Sequence, residues 1–147
     1  MMNKIKNIAL VAHDNCKKDL IEWIEFNKEI LSKHKFVCTG ETGKLVQNVF
    51  DKDINLILLK SGHLGGDQQL GSMISNNEID ILIFFWDSMQ PHSHDVDIKA
   101  LLRISVLYNI PTACNRSTAD FIISSYLFEQ EYEPKLTDYS DYINRNI

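Results

Sequence analysis

Apolar residues fall along this chain in short unbroken runs, separated by stretches in which they return every three or four positions. Residues 8–12 carry no polar side chain and no alternation, the pattern of a strand covered on both faces. After them, Leu20, Trp23, Ile24, Ile30 and Leu31 recur at helical spacing, predicting a helix over about 15–33 with Asp14 placed to cap it. The alternation then repeats. Strands are predicted at 36–39, 56–60, 79–86 and 111–114, and helices at about 42–50, 67–75, 97–108 and 118–127. The run at 79–86 is the most apolar and predicts a central strand. Past Glu129 the chain turns polar and tyrosine-bearing, with room for one more short helical turn.

Five strand–helix units predict an α/β fold: a single domain over residues 1–147, with three α/β/α layers and a mainly parallel five-stranded sheet. Ligands of such folds bind beyond the carboxyl ends of the strands, where the strand order reverses. The polar clusters lie just past those ends: His13-Asp14, residues 39–43, Ser61-Gly62, Asp87 and Asn115-Arg116. Topology therefore predicts that they share one edge.

Composition narrows the function classes. Charged residues are 24% and hydrophobic ones 44% of the 147 residues, ordinary for a globular domain. A formal net charge of −5 argues against an extended nucleic-acid surface, yet leaves room for one small anion at a local positive site. The N-terminal lysines precede an apolar run that stops at His13, too short for a signal peptide or membrane span. Cys16, Cys38 and Cys114 are scattered, with no paired spacing, and are expected as free thiols in a reducing, cytoplasmic setting.

Each cluster supports a chemical and a plain structural reading. Thr39-Gly40-Glu41-Thr42-Gly43 joins a strand to a helix start. Its glycines, hydroxyls and helix N-terminus suit a phosphate, although a simple turn capped by Thr42 fits equally well. It is not a Walker A loop, since the spacer is missing and Leu45 follows Lys44. Lys17 stands one turn beyond Asp14 and can present a point charge, or be merely solvated. Gly65-Gly66 sets Asp67 at a helix start, as a general base or as a cap. His92, His94, Asp95 and Asp97 crowd one loop; a metal site is the lesser reading there and a solvated loop with Asp97 capping the next helix the bland one.

Taken in order, the stretches 8–14 with Lys17, 39–43, Ser61-Gly62, 65–69, 79–87, 94–103 and 115–122 resemble the methylglyoxal synthase family. The resemblance spans about residues 6–125. It implies a cofactor-free and metal-free lyase that converts dihydroxyacetone phosphate to methylglyoxal and inorganic phosphate, on a glycolytic bypass. Asp67 is then the catalytic base and acid, His94 moves protons between substrate oxygens, and Asp97 is a second carboxylate. The implied substrate-binding residues are His13, Asp14, Lys17, Thr39, Gly40, Glu41, Thr42, Ser61, Gly62, Gly66 and His94, with Asp14 also helping to position His13. The resemblance further implies a homohexamer, in some members responsive to phosphate.

Three positions depart from well-known relatives: Glu41 replaces a hydroxyl residue, and His63 and Ser93 replace prolines. A carboxylate at position 41 repels a phosphate unless it turns away or pairs with a lysine. Related domains also serve as non-catalytic regulatory modules that bind a phosphorylated metabolite. The retention of Lys17, Asp67 and His94 in a free-standing chain favours the enzyme. A flavodoxin-like or receiver domain is the more distant alternative.

Overall fold

The computed structural model describes residues 1–146. Its sheet is built from β1 (Asn7–Ala12), β2 (Lys35–Thr39), β3 (Asn55–Leu59), β4 (Ile81–Phe85) and β5 (Thr112–Ala113). Every pairing is parallel, in the order β3-β2-β1-β4-β5. The chain winds outward from β1 in one direction and then, from β4, in the other. The switch point lies between β1 and β4, whose ends carry His13 and Asp87.

The unbroken apolar runs are explained by two cores. Ile8, Leu10 and Ala12 of β1 and Ile81, Ile83 and Phe85 of β4 face one side, with Leu20, Trp23, Val46 and Ile123. Ala9, Val11, Leu82 and Phe84 face the other, with Leu70, Ile74, Ile98 and Leu101. Helices α1 (Lys17–Phe26), α3 (Gly40–Val49) and α6 (Arg116–Ser124) supply the first cover; α4 (Gly66–Ser75) and α5 (Asp95–Leu107) supply the second. With both faces covered, alternating side chains are all apolar and no period of two is visible.

The long first helix differs from expectation. A 3₁₀ turn at Asp14–Cys16 precedes α1, and a break at Asn27 separates α1 from the short α2 (Lys28–Leu31). The Asn27 side-chain amide donates to the Trp23 carbonyl at 2.8 Å, the local competition with the helix ladder that asparagine commonly offers. Asp14 does not cap. Its carboxylate accepts from the Lys17 ammonium at 2.5 Å. Nor do Thr42 or Asp97 cap, because α3 and α5 each begin two residues earlier than expected, at Gly40 and Asp95. After α6 comes a 3₁₀ turn at Tyr126–Glu129, and the final predicted turn is α7 (Ser140–Ile143). No helix among the described residues is long and apolar enough to cross a membrane.

Candidate active site

β2 ends at Thr39 and α3 begins at once. Gly40 turns the chain with φ +47°, and a Cβ there would stand 3.0 Å from both Cα and Cβ of Ser61. Its N–H donates to the Lys60 carbonyl at 3.2 Å. The leading amides of α3 have no intrahelical partner, and Thr39 at its N-cap supplies no side-chain hydrogen bond to them, which leaves a helix start of the kind that favours an anion. Lys17, largely buried, lies beside them. Its ammonium is 2.5 Å from Asp14 Oδ1 and 3.6 Å from Glu41 Oε2.

Asp67 enters from α4. Gly65 precedes that helix at φ +99°, a left-handed turn that glycine adopts without strain, and Asp67 follows as the second helical residue instead of capping. The Asp67 residue is 4% exposed. Burial pushes its pKa above the usual carboxylate range; the Asp97 charge adds to that rise, while His94 and His63 oppose it. His94 Nε2 lies 3.6 Å from Asp67 Oδ2, too far for a hydrogen bond and near enough for both to grip one small ligand. Asp67 Oδ2, His94 Nδ1 and His13 Nε2 are buried without partners. Buried polar atoms ordinarily find partners, so three orphans at one site mark where a polar ligand belongs. The fourth orphan, His34 Nε2, is elsewhere, edge-on to Phe128 in the core.

His13 is fixed by its surroundings. Its Nδ1 accepts the Asp87 N–H at 2.9 Å, so in the neutral ring the proton sits on Nε2, making that atom a donor. Burial, with His92 and His94 nearby, pushes its pKa down to about 4. The ring therefore stays neutral near pH 7. His92 stacks on it at 3.7 Å between centroids, and His63 packs on His94 at 4.3 Å.

The resulting cavity, of about 310 Å³, is lined by His13, Asp14, Lys17, Thr39, Gly40, Glu41, Thr42, Ser61, Gly62, Asp67 and His94. Two expected residues fall outside it. Asp97 lines a separate groove between α4 and α5 and reaches Asp67 through its charge. Gly66 gives its N–H to the Ser61 carbonyl at 2.8 Å, and a Cβ there would meet the Lys60 carbonyl oxygen at 1.9 Å. It holds the turn and offers nothing to a ligand. Gly66→Ala is expected to destabilise the fold by at least about 2 kcal/mol, the scale of overpacking against fixed neighbours, as checked by urea unfolding.

The polar residues after β5 also stay out. Asn115 accepts from the Thr118 N–H and caps α6, while Arg116 pairs with Asp19 at 2.5 Å. In the crowded loop the candidate metal ligands diverge: Asp95 accepts the His92 N–H, and Asp97 faces the other groove. The part played by Asp14 as a partner of His13 falls instead to the Asp87 amide and the His92 ring. In the sequence Asp87 stood out as a polar residue past a strand end, whereas the only signal for His92 was the His-Ser-His spacing, which equally suggested a metal.

A parallel sheet with an uncapped helix start, a lysine and a buried carboxylate–imidazole pair at its switch point defines an α/β protein with a polar cavity suited to a small anion beside a titratable pair. The chain belongs to the methylglyoxal synthase family. The family profile described as MGS-like domain matches residues 19–114. A methylglyoxal synthase of Maridesulfovibrio salexigens is 55% identical over 157 aligned positions, covering 99% of this chain and 100% of that protein. One from Coxiella burnetii is 50% identical, covering 97% and 99%. The crystal structure of methylglyoxal synthase from Elizabethkingia anophelis NUHP1 superposes with a TM-score of 0.91 at 49% identity, over 99% of this chain and 95% of that one.

Proposed function

We propose that this chain is a lyase that converts dihydroxyacetone phosphate to methylglyoxal and inorganic phosphate, with Asp67 as the proton-transferring carboxylate. The observation that carries the reading is the buried Asp67–His94 pair, in which the Asp67 Oδ2 facing the imidazole has no hydrogen-bond partner. Through Gly62, Ser61 and Gly40, that pair adjoins the uncapped start of α3.

Asp67 removes a proton from the hydroxymethyl carbon, and the electron pair delocalises onto the carbonyl as an enediolate. His94 and the Nε2–H of His13 are suited to donate to the developing oxyanion. The hydroxyl on the deprotonated carbon then passes its proton to the neighbouring oxygen, with His94 placed to relay it, and becomes the aldehyde as the electron pair shifts along the carbon chain and breaks the C–O bond to phosphate on the other carbon. The enol that remains takes up a proton at its methylene carbon and ketonises to methylglyoxal. A positioned acid–base group supplies about 10²–10⁴-fold. The rest of the barrier reduction rests on preorganised donors and on holding the C–O bond to phosphate perpendicular to the enediolate plane. Gripping the phosphate at Lys17 and the α3 turn supports that torsion. The regulatory-module alternative is not favoured, since a module that only binds has no use for a desolvated carboxylate against an imidazole.

A homohexameric assembly, a cytoplasmic location and a role bypassing lower glycolysis complete the proposal. Exposed Ile57 and Leu58 on the edge strand β3 support self-association. The reaction is tested by incubating the purified protein with dihydroxyacetone phosphate and following both products. Methylglyoxal and phosphate are expected in equal amounts, with chelator causing no loss. Phosphate release without methylglyoxal would indicate a phosphatase and overturn the reading.

The raised Asp67 pKa also fixes a pH limb. The base works deprotonated, so kcat/KM is expected to fall as pH drops through that pKa, above the roughly 3.9 of an ordinary aspartate. Asp97→Asn removes a charge that helps raise it. The limb of that variant is expected at lower pH than the wild type's, read from a kcat/KM profile. An unmoved limb would mean that Asp97 does not tune the base.

A further inference from the structure

Among the described residues Lys17 is the only lysine or arginine lining the cavity, against four carboxylates: Asp14, Glu41, Asp67 and Asp87. Two of those already share it, Asp14 at 2.5 Å and Glu41 at 3.6 Å. Glu41 is also the second residue of α3, where a negative charge is drawn to the helix N-terminus. The subsite suited to a phosphate thus carries an anion of its own. The two partners differ in freedom: the Lys17 side chain is 19% exposed, the Glu41 side chain 80%. The lysine is held in place, whereas the glutamate is tethered only by charge and has open solvent to swing into.

We infer that Glu41 sets the affinity of this site for phosphate, competing with the bound group for Lys17 and the α3 amides so that product leaves readily. The inference rests on the reading that a phosphate binds at this turn. An incoming dianion must displace Glu41 from Lys17 and then tolerate its charge nearby, whereas inorganic phosphate leaves as the carboxylate returns. Asp14 does not play this part. It holds Lys17 from the preceding turn, and Lys17 in turn keeps the Asp14 pKa below the ordinary carboxylate value.

The test is calorimetric titration of inorganic phosphate into the full chain and into Glu41→Gln, at low and at high salt. At low salt Glu41→Gln is expected to bind phosphate about three- to tenfold more tightly, the scale of one exposed charge facing a divalent anion. The gap should close near 1 M salt, where screening acts within about 3 Å. Glu41→Asp, which keeps the charge, should stay close to the wild type, and Glu41→Lys should bind more tightly than Glu41→Gln. KM for dihydroxyacetone phosphate should fall in parallel in Glu41→Gln. Equal phosphate affinity in wild type and Glu41→Gln overturns the inference, and so does a gap that high salt leaves intact, since that would reflect packing. With wild-type turnover present, either result leaves the lyase reading standing. Absence of both turnover and phosphate binding in all variants would overturn the two together.

Discussion

Replacing Asp67 by asparagine is expected to lower kcat by about 10⁴-fold, the upper end of what a positioned acid–base group contributes. Asparagine has nearly the same shape and cannot take the proton. Binding should survive, because the phosphate contacts come from α1, α3 and the turn after β3. Stability should not suffer either. A carboxyl whose folded pKa lies above its unfolded value favours folding below the unfolded pKa and loses that advantage as pH rises through the folded one. At pH 7 the buried charge is therefore a cost, and Asp67→Asn should melt no lower than the wild type. Turnover within tenfold of wild type would remove Asp67 from the mechanism, and a lowered melting temperature would refute the account of its burial.

The second large effect is expected at Gly62. A Cβ there would stand 3.0 Å from His94 Nε2 and 3.2 Å from each Asp67 carboxylate oxygen. Alanine would thus push a methyl group between the two side chains that must face one substrate. All three near contacts are side-chain atoms, able to yield by a few tenths of an ångström, so the fold should persist. Catalytic geometry should not. Gly62→Ala is expected to lower kcat/KM by about a hundredfold, the effect of misplacing reacting groups by a fraction of a bond length to an ångström. Calorimetry should show a melting temperature close to the wild type's. The contrast with Gly66→Ala separates the two glycines: one leaves room for chemistry, the other for the backbone.

The architecture was legible because both sheet faces are covered. Unbroken runs such as Ile81 to Phe85 admit few placements other than a strand buried on both sides. Helix ends were less legible, since Asn27 breaks a pattern whose apolar spacing continues past it. At the site, the clusters after β1 to β4 converge, whereas the Asn115-Arg116 cluster after β5 is spent on a cap and an ion pair. Sequence order alone cannot tell those uses apart. It also could not pair His13 with the Asp87 amide or with the His92 ring, because those contacts join loops 74 or more residues apart. The Glu41 departure was visible at once, and its partner Lys17 only in three dimensions.

The central claim is that one fixed, buried carboxylate takes the proton from the substrate. A single base on one face must discriminate between the two hydrogens of the hydroxymethyl carbon. The direct measurement uses dihydroxyacetone phosphate labelled with deuterium in one or the other of those positions, and reads the label left in the aldehyde hydrogen of methylglyoxal. The account predicts complete loss from one labelled substrate and complete retention from the other. Equal partial loss from both would mean that no single fixed group removes the proton, and would contradict it.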